Sequence, residues 1–90
     1  MSEKREQRRQ GLVRFLRDIQ KAGLPVDRLG DNDELIASGL IDSLAILEIV
    51  LYLEETYGID FSVRGGIDRE EFSSIGNILD LIERQMPGVN

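Results

Sequence analysis

The residues most capable of chemistry in this chain are Asp42 and Ser43, met in the order Gly39-Leu40-Ile41-Asp42-Ser43-Leu44 just ahead of a long apolar run. Aspartate then serine at such a boundary reads as a helix start. The Asp42 carboxylate is set to accept a hydrogen bond from the amide of Leu44 or Ala45, with Ser43 on the first helical turn. A hydroxyl there faces the positive end of the helix dipole, where an attached phosphate is stabilised by roughly 0.3–1 kcal/mol. A phosphodiester on Ser43 is therefore well placed, and it tethers a mobile group without requiring a small domain to bury it. Rival chemistries lack their residues, because the 90-residue chain has no cysteine and no histidine. No Ser-His or Cys-His pair can form, no thiolate or imidazole can bind a metal, and no calcium-loop spacing occurs. The sequence offers no catalytic residue, and its carboxylates, which could bind a hard cation, are not spaced as a metal site.

Holding Ser43 in place falls to a single small domain, all that this length allows. A first helix starts between Glu3 and Gln10 and ends near Lys21-Ala22, where Gly23 and Pro25 stop it. Leu12, Val13, Leu16 and Ile19 recur at helical spacing on it, with Phe15 at the flank of the stripe. The loop from Gly23 to Asp42 is long for a bundle and needs anchors, which Leu24, Val26, Leu29, Leu35, Ile36 and Leu40 are spaced to supply. Asp31 to Ala37 is expected to form a short turn of helix. A second helix runs from Ser43 to Tyr57 and stops at Gly58. Ile59-Asp60-Phe61 follows as an extended connector and Arg64-Gly65-Gly66 as a flexible one. Asp68 can cap a short helix reaching about Phe72, with Glu71 as its capping-box partner. Ser73 or Ser74 can cap a last helix striped by Ile75, Ile78, Leu79 and Ile82 and ended by Pro87 and Gly88. The expected fold is an all-α, small four-helix bundle with three main helices, one short helix and a long first loop. Residues 1–10 form a frayed basic segment, 11–86 the domain, and 87–90 a frayed end.

Too many positions of the second helix are apolar for one stripe. Ile46, Ile49, Val50 and Leu53 satisfy a core, which leaves Leu44, Leu47 and Leu51 on a second face at i, i+3 and i+7. Either the long loop covers that face, or it is an exposed binding patch rimmed by Glu48, Glu54 and Glu55.

Charge divides the chain in two. Residues 1–30 carry eight Lys/Arg against four acids, and residues 31–90 carry three against thirteen, within a net charge of −6. An acidic body repels phosphate backbones and attracts basic protein surfaces, so no nucleic-acid partner is expected. No run of eighteen apolar residues occurs and the N-terminal stretch is polar, so neither a membrane span nor a secretory signal is expected and a cytoplasmic protein is the default.

Taken together, these segments are similar to the acyl carrier protein and peptidyl carrier protein family. Its attachment motif, Asp-Ser-Leu at the start of the second helix, matches Asp42-Ser43-Leu44, and the segment that follows matches Leu53-Glu54-Glu55-Thr56-Tyr57-Gly58-Ile59. The approach Asp33-Glu34-Leu35-Ile36-Ala37-Ser38-Gly39-Leu40 and the junction Glu71-Phe72-Ser73-Ser74-Ile75-Gly76-Asn77-Ile78 also resemble the family's, so the likeness runs over roughly residues 12–85.

That resemblance implies an acyl-carrier-like bundle in which Ser43, flanked by Asp42 and Leu44, receives 4'-phosphopantetheine from coenzyme A through a phosphopantetheinyl transferase. The thiol of the arm then carries an acyl or aminoacyl group as a thioester, which suits a chain without cysteine. Leu44, Leu47, Glu48, Leu51, Glu54 and Glu55 become the docking helix for an acyl- or aminoacyl-loading enzyme and for downstream transferases or synthases. The implied protein is a monomeric, non-enzymatic shuttle. Three features depart from the fatty-acid form: Ala45 where an acid is frequent, a basic first helix, and Leu40-Ile41 where a glycine often precedes the aspartate. They look more like a stand-alone carrier of a polyketide, nonribosomal peptide or amino-acid pathway. Two alternatives stay open: a fatty-acid carrier, and an unmodified interaction domain of the same fold.

Overall fold

The computed structural model describes residues 3–20, 26, 29–61 and 67–85. Among the described residues there are three α-helices, α1 (Glu3–Ile19), α2 (Ala45–Tyr57) and α3 (Ile75–Gln85), with the long first loop after α1 and a 3-10 turn at Arg69–Phe72 ahead of α3. The architecture is the small all-α one expected, its short helix taking the tighter 3-10 form. Among the described residues there is no strand, only an isolated antiparallel bridge between Glu34 and Ser74.

The apolar stripes become the core. Leu12, Val13 and Leu16 of α1, Ile46, Ile49, Val50 and Leu53 of α2, and Ile75, Ile78, Leu79 and Ile82 of α3 are all buried in one cluster. Leu81 is fully buried as well, so α3 is enclosed over a wider arc than its four-residue stripe suggested. Phe15 and Ile19 are half-buried at the edge of the cluster, and Phe15 stacks on Tyr52 of α2 with ring centroids 4.5 Å apart.

Several boundaries differ from the sequence expectation. Helix α1 ends at Ile19, and Lys21-Ala22 lie outside the described residues, as do Leu24, Arg64-Gly65-Gly66, Pro87 and Gly88. The start of α1 at Glu3 falls within the expected span of Glu3 to Gln10, and Arg5 there pairs with Asp80 (3.1 Å) and Glu83 (2.8 Å) of α3 while Arg9 pairs with Asp31 (2.6 Å). Asp31 to Ala37 forms successive turns that do not join into a helix, and the Leu35 amide in their middle is spent on a distant carbonyl. The Leu35 amide reaches the Ser73 carbonyl at 2.8 Å, while Asp33 closes on Gly30 (3.2 Å), Ser38 on Glu34 (3.2 Å) and Gly39 on Ile36 (3.0 Å).

The caps follow elementary donor-acceptor needs. Asp68 accepts the Glu70 amide at 3.0 Å, while the Glu71 carboxylate, expected as its reciprocal partner, takes Arg84 at 2.8 Å. Of the two candidate serines, Ser74 caps α3, its Oγ accepting the Asn77 amide at 3.2 Å. Gly58 ends α2 in the left-handed region, φ 70°, with its amide on the Glu54 carbonyl at 3.0 Å. The loop is anchored by buried Val26, Leu35, Leu40 and Ile41, with Leu29 and Ile36 half-buried.

Candidate functional site

The chain reaches Ser43 through a turn at Gly39, whose φ of 86° only glycine adopts without strain. Leu40 and Ile41 then plunge into the core, and the next three residues, Asp42, Ser43 and Leu44, all emerge into solvent. Two buried side chains followed by three exposed ones make a fixed stem with an accessible tip.

Local hydrogen bonds define that tip. The Ala45 amide donates both to the Asp42 carbonyl and to Asp42 Oδ1, each at 3.0 Å. The Ile46 amide reaches the Ser43 carbonyl at 3.3 Å and the Leu47 amide the Leu44 carbonyl at 3.1 Å. This i to i−3 spacing is that of a 3-10 turn. Ser43 thus lies in a turn that leads into α2, and α2 itself begins at Ala45, two residues later than the sequence suggested. Leu44, at the capping position, has helical dihedrals and no side-chain cap; the Asp42 carboxylate supplies one from two residues earlier. Of the two amides open to Asp42, the bond goes to Ala45. The Ser43 hydroxyl is not the helix cap and stays exposed.

Beyond the tip, α2 presents two faces. Ala45, Ile46, Ile49, Val50 and Leu53 are buried, whereas Leu44, Leu47 and Leu51 are 73%, 55% and 57% exposed. The long loop leaves the second face open. At 100° per residue the three leucines form one ridge, with Glu54 on one flank and Glu48 and Glu55 on the other. Glu48 and Glu55 are exposed and Glu54 is half-buried. The six residues expected to act together with Ser43 therefore share one side of the molecule, continuous with the serine.

Ala45 is 3% exposed, so an acidic residue at this position would be desolvated and not displayed. Near the other end of α2, the Tyr52 hydroxyl is pushed up to about 12 by burial and by neighbouring Tyr57, with Arg14 opposing. Among the described residues no group of three or more acids gathers as a metal site, and no helix is long and apolar enough to cross a membrane.

Gly76 was not singled out from sequence, yet its amide donates to the Asp31 carbonyl at 2.8 Å and a Cβ there would lie 3.0 Å from the same oxygen. A glycine inside an otherwise regular helical stripe was the available signal of close backbone approach.

Residues 19–82 match the family described as "Phosphopantetheine attachment site", and no curated protein and no solved structure matches the chain. Since the match spans more than half of the 90 residues, the chain belongs to that family, whose members carry a covalently attached 4'-phosphopantetheine group.

Proposed function

From this family membership we propose that Ser43 is the attachment point and that the chain works as a carrier with no chemistry of its own, holding acyl or aminoacyl groups for partner enzymes. The single observation behind this assignment is the exposed Ser43 hydroxyl at the tip of a buried stem, spared from capping by Asp42.

The residues fit the group. The Ser43 oxygen is open to a partner, and the turn ahead of α2 places it at the positive end of the helix, where a phosphodiester is favoured. On modification by a phosphopantetheinyl transferase, Ser43 Oγ forms a bond to the phosphorus that bears the pantetheine. The pyrophosphate bond of coenzyme A breaks, adenosine 3',5'-bisphosphate leaves, and the serine proton passes to a base of the transferase. When bound, the group supplies a thiol that holds cargo as a thioester. Asp42 keeps the turn closed by holding the Ala45 amide, and Leu44 begins the exposed ridge.

Docking is assigned to Leu44, Leu47 and Leu51 with Glu48, Glu54 and Glu55. Three leucines more than half exposed are a costly surface for a monomer unless partners cover it in turn. The acids suit enzymes whose entrances carry Lys/Arg, and because a shuttle must release each partner, exposed charge serves encounter rate more than affinity. A specialised polyketide, nonribosomal peptide or amino-acid pathway is favoured over fatty-acid synthesis. The basic α1 supports that reading, whereas Ala45 is buried and lies off the docking face.

Intact-mass measurement after incubation with coenzyme A and a broad-specificity transferase tests the assignment. One phosphopantetheine mass is expected on the natural chain and none on Ser43→Ala. No mass gain with several competent transferases would leave the unmodified interaction domain as the better reading.

A further inference from the structure

Ser43 lies in a 3-10 turn outside α2, so its orientation follows the chain that delivers it and is not dictated by an i to i−4 ladder. That chain is tied down from a distance. Leu35 is the link: its amide donates to the Ser73 carbonyl at 2.8 Å, and its carbonyl accepts the Ile41 amide at 3.3 Å and the Ser38 hydroxyl at 3.1 Å. Ile41 is two residues from Ser43, and the Leu35 side chain is fully buried, so the Leu35 peptide cannot swing without opening the core.

The far end of this link is itself fixed. Ser73 Oγ donates to the Glu70 carbonyl at 3.0 Å and accepts Asn77 Nδ2 at 2.8 Å, while Asn77 Nδ2 also donates to the Glu70 carbonyl at 3.1 Å. One residue earlier, Gly76 holds the Asp31 carbonyl at 2.8 Å. Arg9 of α1 grips the Asp31 carboxylate at 2.6 Å and the Leu29 carbonyl at 3.1 Å. The loop that delivers Ser43 is thus fastened at two places, by Leu35 to Ser73 just ahead of α3 and by Asp31 to Gly76 in the first turn of α3.

We infer that the start of α3 sets the orientation of Ser43 through this loop, with Gly76 and Asn77 as positioning residues and the Leu35 peptide as the connection between them and the serine turn. The inference rests on Ser43 being the modified residue. The two residues allow complementary perturbations. Asn77 is exposed, so its truncation removes hydrogen bonds without opening a core cavity. At Gly76 an added methyl meets a peptide oxygen at 3.0 Å, close enough that the oxygen must give by a few tenths of an ångström, and as backbone it gives less readily than a flexible side-chain end.

The test compares Gly76→Ala and Asn77→Ala with Arg5→Gln, which breaks a different tie, the pairing of α1 with Asp80 and Glu83. Each folded variant is examined well below its melting temperature by two readouts. One is the set of 1H–15N resonances of Leu35, Ile41 and Ser43–Ala45; the other is kcat and KM for transfer from coenzyme A by one broad-specificity transferase. Both α3 variants are expected to shift those resonances and to lower kcat by roughly three- to tenfold with little change in KM, as misplacement of a reacting oxygen does. Arg5→Gln is expected to do neither. Unchanged resonances at Ile41–Ala45 in both folded variants, or a kcat loss no larger than that of Arg5→Gln, overturns the inference. If Gly76→Ala does not fold, Asn77→Ala decides alone. Should the natural chain take up no phosphopantetheine on Ser43, the attachment assignment fails, while the resonances still decide whether α3 and the serine turn are coupled.

Discussion

The two faces of α2 are built from the same residue types and meet opposite fates. Ile46, Ile49 and Leu53 are at most 4% exposed, while Leu47 and Leu51, one turn or less away, are more than half exposed. Hydrophobicity alone does not distinguish them; the supply of covering surface does. Helix α3 buries a wide apolar arc but turns Asn77, Asp80, Glu83, Arg84 and Gln85 to solvent, and α1 lends only one stripe. The first loop inserts Leu35, Leu40 and Ile41 into the core, and Leu44, Leu47 and Leu51 stay more than half exposed. Because a small domain has limited apolar surface to share, a second apolar face on one helix remains for something outside the molecule.

The sharpest way to break this comparison is truncation. Ile49→Ala and Leu53→Ala are expected to destabilise by about 2–5 kcal/mol each in a denaturant titration, whereas Leu47→Ala is expected to cost little stability and to raise KM for partner enzymes. Equal unfolding penalties at Leu47 and Leu53 would show that both faces are covered in solution, and the docking assignment would fall.

Smaller effects are expected at the tip joining the faces. Asp42→Ala removes the carboxylate that holds the Ala45 amide and is expected to cost about 0.5–2 kcal/mol, the usual range for a lost cap. Ser43→Ala deletes an exposed hydroxyl that caps nothing and is expected to cost less than Asp42→Ala. The opposite order in thermal unfolding would mean that Ser43, not Asp42, holds the turn.

Tyr52 offers a pH probe of the side of α2 that meets α1. Its hydroxyl is raised from 10 to about 12, chiefly by burial and then by Tyr57. Between those values the unfolded chain has released this proton and the folded chain keeps it, so stability falls as pH rises. The contribution is fully present below pH 10 and is lost as pH climbs through about 12. Tyr52→Phe is expected to flatten the alkaline decline of the melting temperature; an unchanged slope would remove Tyr52 as its cause.

What the sequence made legible was whatever repeats locally. The stripes of α1, α2 and α3, the Asp68 cap, the Gly58 stop and the exposed Asp42-Ser43 start all follow from spacing within a few residues. Whether Leu44, Leu47 and Leu51 were covered could not be read that way, since cover comes from distant segments. The pairing of Arg5 with Asp80 and Glu83 was hidden for the same reason, as were Arg9 with Asp31 and the seating of Asp31 on Gly76. The late start of α2 was missed because a 3-10 turn and a first α-helical turn share the same capping residues and differ only in which carbonyl each amide chooses.

Charge on the outward face gives the smallest expected effect and the finest test of the comparison. Thirteen of the seventeen acids lie after residue 30 while the cations crowd α1, where Arg5 and Arg9 already serve α3 and the loop. If α2 is the face that partners meet, neutralising Glu48 and Glu54 together should slow association with a cognate enzyme, and replacing Arg14 and Arg17 should not. Glu48 and Glu54 stand on opposite flanks of the leucine ridge, so both matter only to a partner that approaches broadly. For such charges the loss should be modest, roughly 0–1 kcal/mol per pair, and should shrink with added salt, since the Debye length is about 8 Å at physiological ionic strength. The measurement is the association rate of the modified carrier at several salt concentrations, for each double variant. A salt-independent rate, or a larger defect from the arginine pair than from the glutamate pair, would move the docking surface to α1 even with Ser43 as the attachment point.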